Sequence, residues 1–209
     1  MSELVEHEEI LIPGPAGQIE ALLSHPVAGE PAAIAVICHP HPLYGGSLTN
    51  KVVHILGSAF LKMALPVLRF NFRGVGASEG EFDGGEGEQA DLEAAVAWLR
   101  QRYPGRPLWL AGFSFGAFVA YNAHRQLDAA RLLLVAPPLR LFEFGDLRSV
   151  EIPWMVVQGS NDEVVSADAV QHWVQNQPRP PVFEMVEGAS HFFHGRLNDL
   201  RQIVLKNWA

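Results

Sequence analysis

Short apolar runs alternate with amphipathic stretches of helical length along most of the chain. Ala33–Cys38 (AAIAVIC without its first alanine) is continuously apolar and rich in Ile and Val, the pattern of a strand buried on both faces. Val67–Phe72, Pro107–Ala111, Leu132–Ala136, Trp154–Gln158 and Val182–Val186 read as further strands. Between them, Val52, Leu56, Ala59, Phe60 and Met63 recur at helical spacing within Asn50–Met63, and Leu92, Ala95, Val96 and Leu99 do so within Gln89–Arg102. Helices are also predicted from the residues after Ser114 through Ala123, over Ser166–Gln175 and over Leu197–Trp208. Ile10–Ile12 and Ile19–Leu23 flank a Pro-Gly-Pro-Ala-Gly turn and predict an N-terminal hairpin. Strands alternating with helices imply an α/β fold: a mostly parallel central sheet with helices on both faces, edged by the antiparallel hairpin, in one domain over 1–209.

Composition narrows the classes. The 209 residues are 48% hydrophobic and 18% charged, which fits a folded globular chain. With 15 Lys and Arg against 23 Asp and Glu the net charge is −8, so nucleic acid and anionic membrane are not expected partners. A single cysteine rules out an intrachain disulfide and a Cys-based structural zinc site. The acidic start MSELVEHEEILIPG lacks the basic-then-apolar order of a secretory signal, and no apolar run is long enough to span a bilayer, so a cytoplasmic location is expected. The composition gives no oligomeric state.

In open α/β sheets ligands bind beyond the carboxyl ends of the strands, so the residues following each strand decide the chemistry. Gly112-Phe113-Ser114-Phe115-Gly116 lies between a strand and a helix and has the G-x-S-x-G form of a nucleophile elbow. The sharp turn needs small residues on either side of the serine, and the following helix aims its N–H groups at it. The pattern occurs a second time, at Gly76-Ala77-Ser78-Glu79-Gly80, but EGEFDGGEGE follows there, which is loop composition; Ser78 is therefore read as a loop serine and Ser114 as the nucleophile. A serine needs a base and the base an orienting carboxylate. Asp162, after Trp154–Gln158, and His191, after Val182–Val186, stand in the required order. Glu163 and Asp146 are alternative acids; His194, His172 and His124 are read as surface, groove or packing residues.

The segment Cys38-His39-Pro40-His41-Pro42-Leu43-Tyr44-Gly45-Gly46 follows the first buried strand. An oxyanion hole would take one N–H from Phe115 and one from this loop; prolines have none to give, which leaves His41 first and Leu43 second. The same residues admit a metal reading (His39 and His41 as H-x-H beside Cys38, with His191 or His194 recruited), against which His39 packs under the loop and bonds backbone; no metal is expected. Cys38 reads as apolar filler. Arg73, in FNFRGVGASEG, is read as a tie between loops rather than an anchor for an anionic substrate. The first strand–helix turn lacks G-x-G-x-x-G, so no organic cofactor is expected.

Taken together, the strand–helix order, the elbow at Ser114, the acid at Asp162 and the base at His191 resemble the α/β-hydrolase superfamily over nearly the whole chain. HPHPLYGG before a helix and FNFRGVGASEG after the next strand are similar to small lidless bacterial hydrolases related to dienelactone hydrolases. The resemblance implies serine hydrolase chemistry without naming a substrate. The connection PPLRLFEFGDLRSVE is too short for the helical lid that many relatives place there, which predicts a shallow, open site. Leu139, Leu141, Phe142 and Phe144 in that connection either rim the site or pack on the sheet; with Leu43 and Tyr44, Leu139 and Phe142 are the candidate substrate contacts. The expected function is hydrolysis of a small ester or thioester through an acyl-enzyme. The alternatives are a serine peptidase or amidase and a non-catalytic ligand-binding protein of the same fold.

Overall fold

The first buried run, Ile34–Cys38, is the third of eight strands and has no exposed residue. In the computed structural model, which describes residues 5–27, 29–142 and 150–209, the strands are β1 (Val5–Gly14), β2 (Gly17–Pro26), β3 (Ile34–Cys38), β4 (Val67–Phe70), β5 (Leu108–Phe113), β6 (Ala129–Val135), β7 (Trp154–Gly159) and β8 (Val182–Val186). The helices are α1 (Lys51–Lys62), α2 (Glu86–Arg102), α3 (Phe115–Ala123), α4 (Ala167–Gln175) and α5 (Leu197–Trp208). One sheet runs in the order β1-β2-β4-β3-β5-β6-β7-β8. β1 and β2 pair antiparallel with each other and β2 antiparallel with β4; every other neighbouring pair is parallel. The expected α/β architecture with an antiparallel edge is thus present.

Alternation along each central strand divides the core. Ile34, Val36, Leu108, Leu110, Leu132 and Leu134 face α2, α3 and α4, where Leu92, Val96, Val119 and Val170 meet them. Ala35, Ile37, Phe113, Leu133 and Val135 face the other way, onto Val52, Leu56 and Phe60 of α1 and Leu200 and Val204 of α5. Both faces being covered explains why these strands read as unbroken apolar runs. No helix among the described residues is long and apolar enough to cross a membrane.

The boundaries differ from expectation where bonding overrides composition. The hairpin strands are ten residues each, because backbone pairing continues past the apolar centre through acidic Glu6, Glu8 and Glu9. Helix α2 starts at Glu86, inside the stretch read as loop: Glu88 bends back to accept from the Gly85 and Asp83 amides and so caps the first turn. Asn50, read as helical, is instead the cap of α1, its Oδ1 accepting from Val52 and Val53. β4 stops at Phe70; the Asn71 amide still donates to the Glu20 carbonyl of β2, but that of Phe72 leaves the sheet and donates to His39. β6 ends at Val135 and β7 begins at Trp154, and no helix or strand lies among the described residues between them.

Candidate active site

β5 passes into α3 through Ser114, whose φ of 53° and ψ of −119° put a non-glycine residue in the left-handed half of backbone space. Neighbouring contacts hold it there. The Ser114 amide donates to the Val135 carbonyl at 2.9 Å, and its own carbonyl accepts from Ala117 at 2.8 Å. A Cβ at position 112 would strike the Gly116 carbonyl, and one at 116 the Cys38 carbonyl, which is the physical reason for both glycines of the motif. The hydroxyl of buried Ser114 lies 3.1 Å from His191 Nε2, and His191 Nδ1 lies 2.9 Å from Asp162 Oδ2. A carboxylate can only accept, so the proton sits on Nδ1, Nε2 is the free acceptor, and the serine hydroxyl donates to it.

The Asp162 side chain is fully buried and saturated. Its Oδ1 accepts from the amides of Val164 and Val165 at 2.9 and 2.7 Å, and its Oδ2 from Gln158 Nε2 at 2.9 Å as well as from His191. Burial alone would raise its pKa; the hydrogen bonds from His191 and from the Val165 and Val164 amides outweigh it and hold the carboxyl below its ordinary value. Glu163, weighed as an alternative acid, instead accepts from the His191 backbone amide at 3.1 Å. It fixes the turn that carries the imidazole. Gln158, at the end of β7, was not singled out by sequence reasoning; its one signal is a polar residue closing an apolar strand.

The loop after β3 is braced from beneath by His39, which is fully buried. Its Nδ1 donates to the Pro40 carbonyl at 2.6 Å and its Nε2 accepts from the Phe72 amide at 3.0 Å. Both ring nitrogens are engaged, leaving none for a metal. Burial pushes this imidazole down to about 4, against a partial lift from the Pro40 bond. Burial also raises the Cys38 thiol far above its ordinary value, so it carries no thiolate. The Leu43 amide donates to His41 Nδ1 at 3.2 Å, while the His41 and Phe115 amides have no acceptor among the described residues. Of the two loop candidates, His41 is therefore the one with an N–H to offer.

A pocket of about 200 Å3 opens at Ser114 and His191. Phe142, Leu141, Phe192 and Val164 give it apolar walls, and Tyr44 and Asn50 stand at its edge. Phe142 and Tyr44, two of the candidate substrate contacts, thus line the pocket. Leu43 and Leu139 do not line this pocket: Leu43 is 68% exposed, and Leu139 turns onto the core beneath. Alternate residues of an irregular loop face opposite ways, and no sequence period reports which. Phe192 and Val164 were missed because each is simply the neighbour of a motif residue. Phe144 and Asp146 lie outside the described residues.

The other candidates fall into structural positions. Ser78 Oγ donates to the Asn71 carbonyl at 2.7 Å and accepts from the Glu20 amide at 2.9 Å. Arg73 grips Asp91 of α2 by two parallel bonds of 3.0 and 2.9 Å, tying the loop after β4 to the helix. His124 bonds the Tyr121 carbonyl, and His172 and His194 are exposed.

Comparison with known proteins agrees with this architecture. Residues 29–143 match the family described as serine aminopeptidase, S33. A solved α/β serine hydrolase homologue from Coxiella burnetii is 44% identical, with 97% of each chain covered and a TM-score of 0.93. A lidless α/β serine hydrolase from Xanthomonas campestris is 39% identical, covering 97% of this chain and 93% of that one, with a TM-score of 0.90. An uncharacterized protein of Rickettsia prowazekii is 35% identical over 206 residues, 94% of this chain and 86% of its own length. The elbow, the sheet order and these likenesses lead to one assignment: the chain belongs to the α/β-hydrolase superfamily, within the family described as serine aminopeptidase, S33.

Proposed function

We propose that the protein is a carboxylesterase or thioesterase acting on small substrates with a compact apolar acyl group. The observation that carries this reading is the unbroken hydrogen-bonded chain Ser114–His191–Asp162, with bonds of 3.1 and 2.9 Å, opening on an apolar pocket. Ser114 Oγ attacks the carbonyl carbon as its proton passes to His191 Nε2. The amides of Phe115 and His41 receive the developing oxyanion; one such donor contributes about 3 kcal/mol to lowering the barrier in related chemistry. His191 then gives its Nε2 proton to the departing alkoxide or thiolate, leaving an acyl-enzyme. A water molecule, deprotonated by the same nitrogen, releases the acid and restores the serine. Asp162 keeps the proton on Nδ1 and balances the imidazolium charge throughout.

The family's description also suggests cleavage of an amide at a free amino terminus. An α-ammonium group wants a carboxylate partner, and none of the described residues lining the pocket is acidic. This favours a neutral ester over an aminoacyl substrate. Parallel assays with p-nitrophenyl acetate or butyrate and with leucine p-nitroanilide test the choice. Ester hydrolysis that exceeds anilide hydrolysis by orders of magnitude is expected; the reverse order overturns the esterase reading in favour of the peptidase.

A further inference from the structure

On the sheet face that carries α1, at the β1–β2–β4 edge, lies a cleft of about 540 Å3 that shares no lining residue with the pocket at Ser114. Strand register builds one wall. His7 of β1 pairs with Ser24 of β2, and Ser24 pairs with Val67 of β4, so the three form one row across the sheet; Arg69 stands two residues along β4 on the same face. Small residues Gly57 and Ser58 of α1 leave the room between helix and sheet, and Lys62 reaches over the rim.

Arg69 is the unusual member. It interrupts an otherwise apolar strand, is only 7% exposed, and has no carboxylate partner among the described residues. Its hydrogen bonds among the described residues use a single nitrogen: Nη1 is 3.3 Å from the Leu48 carbonyl and 3.4 Å from His54 Nδ1. Arg73, four residues on, shows what a satisfied arginine looks like in this protein, with both arms of its fork on Asp91. A buried guanidinium without a counter-charge is costly unless an anion completes it. The cleft adds the cation Lys62 and the polar groups of His54, Ser58 and the hydrogen-bonded pair His7–Ser24 (Nδ1 to Oγ 2.8 Å), and none of the described residues lining it is acidic, although the chain as a whole carries a charge of −8. The crowding of like charge is visible at His54: burial, then the charges of Arg69 and His7, hold its imidazole below the ordinary value.

We propose that this cleft is a second binding site, for the carboxylate or phosphate group of a small organic molecule. Arg69 and Lys62 take the oxyanion, Ser58 and the one donor left over by the hydrogen-bonded His7–Ser24 pair (2.8 Å) offer additional contacts, and the body of the ligand lies along Leu61 and Val67. The volume exceeds what a bare inorganic ion needs, and the forked geometry of a guanidinium suits either oxyanion.

The test is an amide-resolved NMR titration of the full chain with inorganic phosphate and, separately, with hexanoate, at constant ionic strength. Saturable shifts at His7, Ser24, His54 and Ser58 are expected, read apart from any at Ser114 and His191. Saturation with phosphate alone assigns a phosphate-bearing ligand, and saturation with hexanoate alone a carboxylate; either supports the site. Arg69→Gln should weaken binding by about tenfold or more, the size expected for losing a charge-assisted hydrogen bond. Lys62→Gln, at an exposed position that cannot unfold the protein, should weaken it several-fold while ester hydrolysis is unchanged. No saturable shift in the cleft with either anion, or shifts undiminished in Lys62→Gln and in a folded Arg69→Gln, would overturn the proposal.

Discussion

Two serines of this chain stand in the same five-residue frame, Gly-x-Ser-x-Gly, and the fold treats them oppositely. Ser78 sits in the loop after β4 with its hydroxyl spent: the proton goes to the Asn71 carbonyl and a lone pair to the Glu20 amide. Ser114 sits between β5 and α3 with its hydroxyl aimed at an imidazole and a pocket. Both lie near the carboxyl ends of parallel strands and both are buried. What separates them is the destination of the hydroxyl proton. A carbonyl oxygen accepts a hydrogen bond but cannot carry the proton away at neutral pH, whereas an imidazole backed by a carboxylate can. The frame supplies a tight turn; the surroundings decide whether the turn is chemistry or joinery.

The comparison can be broken by experiment. The largest effect expected is that of Ser114→Ala, which should lower kcat for p-nitrophenyl butyrate by about four to six orders of magnitude, as removal of the nucleophile does in related triads. Kinetics of Ser78→Ala under the same conditions should stay close to wild type. Asp162→Asn should lower kcat by about four orders of magnitude, because the amide can donate to Nδ1 and stabilise the wrong tautomer. Full activity in that variant would move the orienting role to another acid.

A third prediction concerns the brace between the two serine-bearing regions. His39 joins the Pro40 carbonyl, on the loop that offers His41, to the Phe72 amide, on the strand end that leads to Ser78. Its folded pKa is depressed to about 4 from the 6.5 of a free imidazole. Between those values the unfolded chain binds a proton that the folded chain refuses, so stability falls as pH is lowered through this window, by on the order of 3 kcal/mol if His39 acted alone. Urea melts from pH 7 to pH 4 measure it, and a His39→Gln variant should show a flatter dependence. Asp162 acts at lower pH: its depressed carboxyl contributes stability at neutral pH that is lost as pH falls through its folded value, below the ordinary carboxylate range. The smallest effect is on Ser78. Its replacement by alanine leaves the Glu20 amide and the Asn71 carbonyl each short of a partner and should cost about 1–3 kcal/mol of stability, read as a shift in urea midpoint.

Much of this was legible before any coordinates. Ile34–Cys38 and Leu132–Val135 announce doubly covered strands because a central parallel strand has no polar face to show. The elbow is legible because the geometry at Ser114 excludes a side chain at 112 and 116. Asp162 and His191 follow from strand order, since the strand ends bring them together whatever the loops do. Other features depend on where side chains point in three dimensions. Gln158 supports Asp162 from the end of β7 and Glu163 supports His191 across two separate turns, and neither contact carries a local sequence pattern. Leu43 and Leu139 face away from the pocket while Phe142 faces in, a distinction that irregular loops do not encode in any period. The cationic cleft draws on β1, β2, α1 and β4, four segments whose residues look unremarkable one at a time; only the lone arginine inside β4 departs from pattern.

The central claim is that one hydroxyl, that of Ser114, is the group that attacks. Treating the wild-type protein with a fluorophosphonate and mapping the adduct by peptide mass spectrometry tests it most directly. A single adduct on the peptide bearing Ser114, formed in step with loss of ester hydrolysis, is the predicted result. An adduct on Ser78, or inactivation with Ser114 unmodified, would contradict it.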